Sequence, residues 1–217
     1  YRTQTNIAPI NEVLAAGIIL LSDWEINNDF LDPMCGSGTF LIEAAMIANN
    51  YPPNVNRSNF SFQNWKDYDQ DLFDLIKDSV LKKVRPINCN IFGYDKSPSA
   101  ISKSKNNIIN SGFENSISVE KFNFFKTKKE RDDHLHILFN PPYGERLLID
   151  IESFYKNIGD TLKTNYPNST SWFITSSLES LKHIGLRSTR KIKLFNGKLE
   201  SRLVKYDIYS GSKKRKN

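Results

Sequence analysis

Residues 29–48 read DFLDPMCGSGTFLIEAAMIA, and the way this stretch is parsed decides the fold. Asp29 to Pro33 is a short apolar segment that runs into a loop, as a buried strand does at its end. Gly36-Ser37-Gly38 follows, two glycines two apart that permit a tight turn and a close approach of backbone to a ligand. From Thr39 to Ala48 the chain is apolar on nearly every side and built of good helix formers, which predicts a buried helix. Strand, glycine turn and helix in direct succession predict an α/β fold with a largely parallel sheet.

The alternation continues outward. Pro9 stands where a first helical turn would start, and VLAAGIILLSDW (13–24) has helical spacing. Residues 49–70 form a loop region with NYPPN and the aromatic string FSFQNWKDY, whose rings are expected to fill core. Residues 71–84 place Leu72, Leu75, Ile76, Val80 and Val84 on one helical face. The 49–89 segment is thus a long insert before the second strand, NIFGYD (90–95). A helix from Ser97 to Ser111 follows, with Ser97 as N-cap, Pro98 in its first turn and Gly112 just past its end. ISVEK (117–121), HLHILF (134–139) and SWFITS (171–176) read as three further strands. IESFYKNIGDTLKTNY (151–166) and SLESLKHIG (177–185) read as helices. RKIKLFNGKLESRLVKYDIYS (190–210) alternates on both sides of a turn at Asn196-Gly197 and predicts an antiparallel hairpin at the sheet edge.

The chain of 217 residues can bury the core of one substantial domain with a small appendage. It contains no run of 18 apolar residues. VLAAGIILL, its longest early apolar patch, has no basic region before it, so no signal peptide is read. Cys35 and Cys89 make no disulfide framework and suit reduced thiols in a cytoplasmic protein. CxxC, HExxH and spaced His/Cys clusters are absent, so no metal is expected. His134, His136 and His183 are scattered and read as surface or strand-end residues. The net charge is +6, of which the tail GSKKRKN (211–217) carries four. That basic tail suits either contact with a polyanion or a solvated terminus. The chain starts at Tyr1 rather than Met, and is expected to derive from something longer.

Chemistry concentrates at the ends of the predicted strands, where open α/β sheets bind ligands. In DPMCGSGT (32–39) the N–H groups at the helix start suit a carboxylate. A phosphate-binding loop is excluded because no Lys follows Gly38, and the dinucleotide pattern GxGxxG fails for want of a third glycine. Asp95, at the second strand end, can accept both hydroxyls of a ribose. Asn123 and Phe124, after the third, can hydrogen-bond and pack against an adenine. The three strand ends together describe an adenosyl-amino-acid ligand better than a nicotinamide dinucleotide.

The fourth strand ends in FNPPYGER (139–146). The Asn140 side-chain carbonyl and the Pro141 main-chain carbonyl can both accept from a planar NH2 group, letting charge develop on a poorly nucleophilic amine nitrogen. Pro141 and Pro142 remove competing donors and fix the loop. Tyr143 offers a π face to a base that is flipped out or unpaired. Arg146 suits a phosphate or base contact, or an internal ion pair with Glu145.

DPMCGSGT, GYDKSPSAI, FNPPYGER and LFNGKLESRL, in this order, resemble the N2-guanine RNA methyltransferase family, and most closely its branch that makes N2-methylguanosine in bacterial 23S ribosomal RNA. The resemblance covers nearly the whole chain. It implies a Rossmann-like class I methyltransferase fold, with a seven-stranded, mostly parallel sheet ending in an antiparallel hairpin. Residues 1–29 would be a lead-in helix, 30–210 the catalytic domain and 211–217 a basic tail. It implies S-adenosyl-L-methionine as cofactor, RNA as partner, and a THUMP-type RNA-binding region upstream of Tyr1. Carried over by position, Asp32, Pro33, Gly36, Ser37, Gly38 and Thr39 serve the methionine end. Asp95 and Lys96 serve the ribose, and Asn123 and Phe124 the adenine. Asn140, Pro141, Pro142 and Tyr143 hold the guanine. The sequence departs from the family pattern at Asn123, where Asp is usual, and at Lys96, which can crowd the ribose edge.

DNA adenine-N6 and protein glutamine-N5 methyltransferases share the NPPY socket, because all three present a planar NH2. An RNA-binding module that has lost its activity is the reading from a different class. The intact Asn140–Tyr143 run and the unbroken GxG argue against it.

Overall fold

The computed structural model describes residues 10–142 and 150–211. Its seven strands form one sheet in the order β3-β2-β1-β4-β5-β7-β6. The strands are β1 (Asp29–Asp32), β2 (Ile91–Asp95), β3 (Ile117–Lys121), β4 (Leu135–Phe139), β5 (Ser169–Thr175), β6 (Arg190–Asn196) and β7 (Leu199–Ile208). β1 to β5 run parallel; β7 is antiparallel to both β5 and β6. From β1 the chain travels outward through β2 and β3, then returns to place β4 on the other side of β1. The reversal opens a crevice between the carboxyl ends of β1 and β4.

Two apolar layers sandwich the sheet. On one face α1 (Glu12–Leu21), α2 (Thr39–Asn49) and α4 (Pro98–Ser111) pack over Phe30, Leu138, Trp172 and Leu203. On the other, α5 (Ile151–Asn165) covers Ile137, Phe139, Phe173 and Val204. β4 is buried along its whole length, as a strand covered on both faces must be, and its side chains alternate between the two layers.

Local chemistry sets the ends of the helices. α1 begins at Glu12, because the Asn11 side chain accepts from the N–H groups of Val13 and Leu14. Pro9, where the sequence suggested the start, lies outside the described residues. α4 has Ser97 as N-cap, Pro98 at its first position and Gly112 in the left-handed region at φ 77°. The segment 177–185 forms a 3-10 helix over Glu179–Ile184 rather than an α-helix. The hairpin turn is Gly197-Lys198, one residue later than expected, because Asn196 pairs with Leu199. Positive φ falls on Gly197 alone of the two, the pattern of a type II′ turn.

The insert is tied off at its neck, where the Arg85 N–H donates to the Asn49 carbonyl at 2.9 Å and Asn50 Nδ2 to the Lys83 carbonyl at 3.0 Å. Its aromatics do not fill the main core. Phe60, Phe62, Tyr68 and Phe73 pack on one another in a satellite cluster. α3 (Gln70–Leu81) buries no residue, and Leu72, Leu75 and Ile76 on its apolar face are exposed. His136 is not a strand-end residue but a core one. It stacks on Phe30 with ring centroids 5.8 Å apart and hydrogen-bonds Ser22 Oγ through Nε2 at 2.9 Å.

Candidate functional site at the carboxyl edge of the sheet

The carboxyl ends of β3, β2, β1 and β4 lie side by side in that order. They bring Asn123, Asp95, Asp32 and Asn140 to one edge of the sheet. The register sets their heights: Asp32 pairs with Gly93, and Asp95 with Lys121.

At the centre the glycine turn is clamped to the end of β2. The Gly36 N–H donates to Asp95 Oδ2 at 3.1 Å, and the Cys35 N–H to the Tyr94 carbonyl at 2.8 Å. The other Asp95 oxygen, Oδ1, accepts from the Ser97 N–H at 2.8 Å, at the start of α4. Asp95 thus joins the turn, its own strand and the next helix, while staying partly exposed. Lys96 beside it points a long cation into solvent. Gly36 and Gly38 both have positive φ, at 55° and 82°. A Cβ at Gly38 would also meet Ser104 Oγ of α4 at 2.5 Å, which that hydroxyl would have to turn away from; the left-handed φ is what favours glycine here. Ser37 and Thr39 are buried, with their hydroxyls 3.3 Å apart. Pro33 is buried as well.

Asp32 is 2% exposed, and its Oδ1 accepts from the Met34 N–H at 3.1 Å. Burial holds its carboxyl well above the usual carboxylate range. The Met34 hydrogen bond opposes that rise, and the Asp95 charge adds to it. The Cys35 thiol is pushed up for the same reason, first by burial and then by the Asp32 and Asp95 charges. The edge is therefore electronegative, and neither Asp32 nor Asp95 has a cationic partner among the described residues.

Further along the edge, Asn123 caps a 3-10 turn over Phe124–Lys126; its side chain accepts from the Phe125 N–H at 3.1 Å and is otherwise exposed. Phe124 is buried among Phe139, Tyr166 and Phe125. It shapes the floor beneath the loop instead of offering an open ring. On the far side of Asp32, Asn140 follows directly on β4. Its Oδ1 is buried and has no hydrogen-bond partner among the described residues. Pro141 is buried and Pro142 exposed. Tyr143, Glu145 and Arg146 lie outside the described residues.

Two contributors escaped the sequence reading. Asn107 Nδ2 of α4 donates to the Ser37 carbonyl at 3.0 Å and fixes the turn from behind. Gly93 lets α2 settle on β2: a Cβ there would meet Leu41 Cδ1 at 2.5 Å and Cys35 Cβ at 3.0 Å. The signal for Asn107 was its spacing. It shares a helical face with Ile101, Ser104 and Ile108, so its amide had to be buried and paired.

Elsewhere, an open cleft of about 400 Å³ is lined by Trp24, Ile26, Ala48, Arg85 and Pro86. It sits at the amino end of β1 and β2, across the sheet from these groups. Among the described residues no cluster of three or more His, Cys, Asp or Glu can hold a metal, and no helix is long and apolar enough to cross a membrane.

The arrangement matches known proteins. Residues 1–205 fit the family model described as UPF0020: RMKL-like, methyltransferase domain. The chain is 33% identical over 222 residues to the ribosomal RNA large subunit methyltransferase K/L of Cellvibrio japonicus, covering 96% of this chain and 30% of the relative. The crystal structure of SMU.472, described as "a putative methyltransferase complexed with SAH", superposes with a TM-score of 0.89 at 32% identity, covering 98% of this chain and 55% of that one. A structure from Listeria monocytogenes, described as "a predicted N6-adenine-specific DNA methylase", superposes with a TM-score of 0.82 at 28% identity, over 96% and 54% of the two chains. The chain thus spans about a third of the curated relative and about half of each solved neighbour.

Proposed function

The chain belongs to the RMKL-like methyltransferase domain family, and from that premise we propose that it transfers a methyl group from S-adenosylmethionine to the exocyclic N2 amine of a guanine in RNA, with large-subunit ribosomal RNA as the substrate. The observation that carries the reading is the buried Oδ1 of Asn140, which has no hydrogen-bond partner among the described residues, one strand away from the Asp32 turn. A buried acceptor without a donor costs about 1–3 kcal/mol. Its presence at a strand end beside a ligand-binding turn is accounted for by a substrate NH2.

The cofactor fits the residues present. Asp32 and the Gly36–Thr39 turn would hold its amino-acid end, Asp95 the ribose, and Asn123 the adenine edge. When bound, it supplies an electrophilic methyl on a positively charged sulfur, which the two carboxylates favour electrostatically. Asn140 and the Pro141 carbonyl accept the two N–H bonds of the amine and hold its plane. This raises the nitrogen's electron density towards the incoming methyl and stabilises the charge that develops there. Tyr143 is assigned the stacking face for the base. The ribosomal RNA reading draws on the name of the Cellvibrio relative, and the guanine assignment on the combination of DPMCGSGT with NPPYGER.

The test uses unmodified 23S ribosomal RNA and labelled S-adenosylmethionine, with the chain alone and with the chain extended upstream, followed by digestion and identification of the labelled nucleoside. N2-methylguanosine is the expected product. Label in N6-methyladenosine would move the protein to the adenine chemistry named for the Listeria neighbour. Cofactor binding without label in RNA would sink the RNA reading.

A further inference from the structure

Resting on that RNA reading, we infer that the tip of the β6–β7 hairpin is a substrate-RNA contact in which Phe195 stacks on a base flanking the target and Lys198 binds the backbone phosphate.

Three observations converge on the tip. The first is position. β5 stops at Thr175, opposite Arg202, but the hairpin pairs on to Asn196 and Leu199. Three further residues carry it ~10 Å past the end of β5. Asn140 comes one residue after the Phe139–Phe173 pair and is level with Ile174. The hairpin therefore rises above the level of the catalytic amide, two strands away, on the same edge.

The second is exposure. β6 is the edge strand of the sheet, and Lys191, Lys193 and Phe195, which alternate onto one of its faces, are all exposed. Phe195 is 56% exposed, on the hairpin face it shares with Lys193, Glu200 and Arg202, while Leu199, 45% exposed, pairs with Asn196 on the opposite face. Lys193 Nζ lies 5.3 Å from the centroid of the Phe195 ring. A cation beside an exposed ring suits a base with its attached phosphate.

The third is charge. Residues 187–205 hold seven Lys or Arg and one acidic residue, Glu200. Arg190 and Lys205, at the far end of the hairpin, pair with Asp23 and Asp207, and residues 193–202, nearest the tip, hold Lys193, Lys198 and Arg202 against Glu200, a net +2. Glu200 is shared between Lys193 and Arg202, at 2.7 Å to each. Lys198, at the turn, has no carboxylate partner among the described residues. Such a local excess is the footprint of a polyanion contact and suits RNA over an ordinary protein surface.

The experiment compares Phe195→Ala, Phe195→Trp and Lys198→Ala with the parent. The readouts are filter binding of unmodified 23S ribosomal RNA at several salt concentrations, kcat and KM for methyl transfer, and calorimetric cofactor binding. Phe195→Ala is expected to weaken RNA binding roughly 5- to 150-fold and to raise KM with little change in kcat, while cofactor affinity stays at the parent value. Phe195→Trp restores binding. Lys198→Ala lowers the slope of log affinity against log salt by about one. If the parent methylates RNA and the variants match it in affinity and KM, this inference is overturned and the function stands. A parent that neither binds nor methylates RNA overturns both. Variants impaired only towards a protein or DNA substrate would assign the tip to that partner instead.

Discussion

Replacing Asn140 by Leu should make the protein more stable and nearly inactive. Its Oδ1 is buried without a partner among the described residues, and the side chain directly follows a strand buried along its length. Leu keeps the same branched skeleton, with bulkier methyl ends, and has no polar atom. Removing an unsatisfied buried acceptor recovers ~1–3 kcal/mol. For a chain of this size that is a rise in melting temperature of about 2–4 °C per kcal/mol. Asn140→Ala removes the same acceptor but leaves a small void, so its stability should stay within about 1 kcal/mol of the parent. In the proposed mechanism both variants lose an acceptor for the reacting amine, for which a fall in kcat of ~10²–10³-fold is expected. Cofactor binding should be untouched. Urea denaturation, labelled-methyl transfer and titration calorimetry together read all three. If both the Leu and the Ala variants were destabilised by more than about 1 kcal/mol, bulk could not be the cause, the amide would have a structural partner, and the argument from its orphaned oxygen would fail.

Gly93→Ala forces a Cβ to within 3.0 Å of Cys35 Cβ and 3.3 Å of the Asp32 carbonyl; a loss of ~1–3 kcal/mol and weakened cofactor affinity are expected in urea denaturation and calorimetry, through displacement of the turn. His136 is buried with its pKa lowered to about 3, by burial first and then by the His134 and Lys205 charges. The unfolded chain takes up a proton near the ordinary value of 6.5 while the folded one does not, so this group's contribution is fully present above pH 6.5 and is lost as pH falls towards 3. Between pH 7 and 5 the loss is about 2 kcal/mol, and His136→Gln should flatten the pH dependence of the denaturation midpoint by that amount. Equal slopes for parent and variant would show that the imidazole is not held neutral by the fold.

The sequence displayed the frame of the fold because its signals were local. The glycine turn after β1, the Ser97-Pro98 cap with Gly112, and the alternation through residues 190–208 each depend on neighbours a few positions apart. The convergence of Asp32, Asp95 and Asn140 on one edge was legible for a related reason: in a parallel sheet, strand ends converge whatever the intervening lengths. Features set by distant packing were not legible. His136 alternates with apolar residues as an outward-facing strand residue would, and only α1, bringing Ser22, turns its position into core. The 71–84 pattern predicted a helix correctly, but an apolar stripe does not say which surface covers it, and among the described residues none does. Phe124 looked like a free ring beside Asn123 because its burial depends on Phe139 and Tyr166, from strands and loops far along the chain.

The edge is incomplete by itself in two ways that complement each other. At β1 and β2 it gathers two carboxylates, Asp32 and Asp95; burial first, with the Asp95 charge adding to it, raises the proton affinity of Asp32, and no cation among the described residues offsets them. At β4 it holds an acceptor that has no donor among the described residues. A ligand bearing positive charge relieves the first, and a ligand bearing a planar NH2 relieves the second. The proposed cofactor and substrate supply one each, in the order in which the strands present the sites.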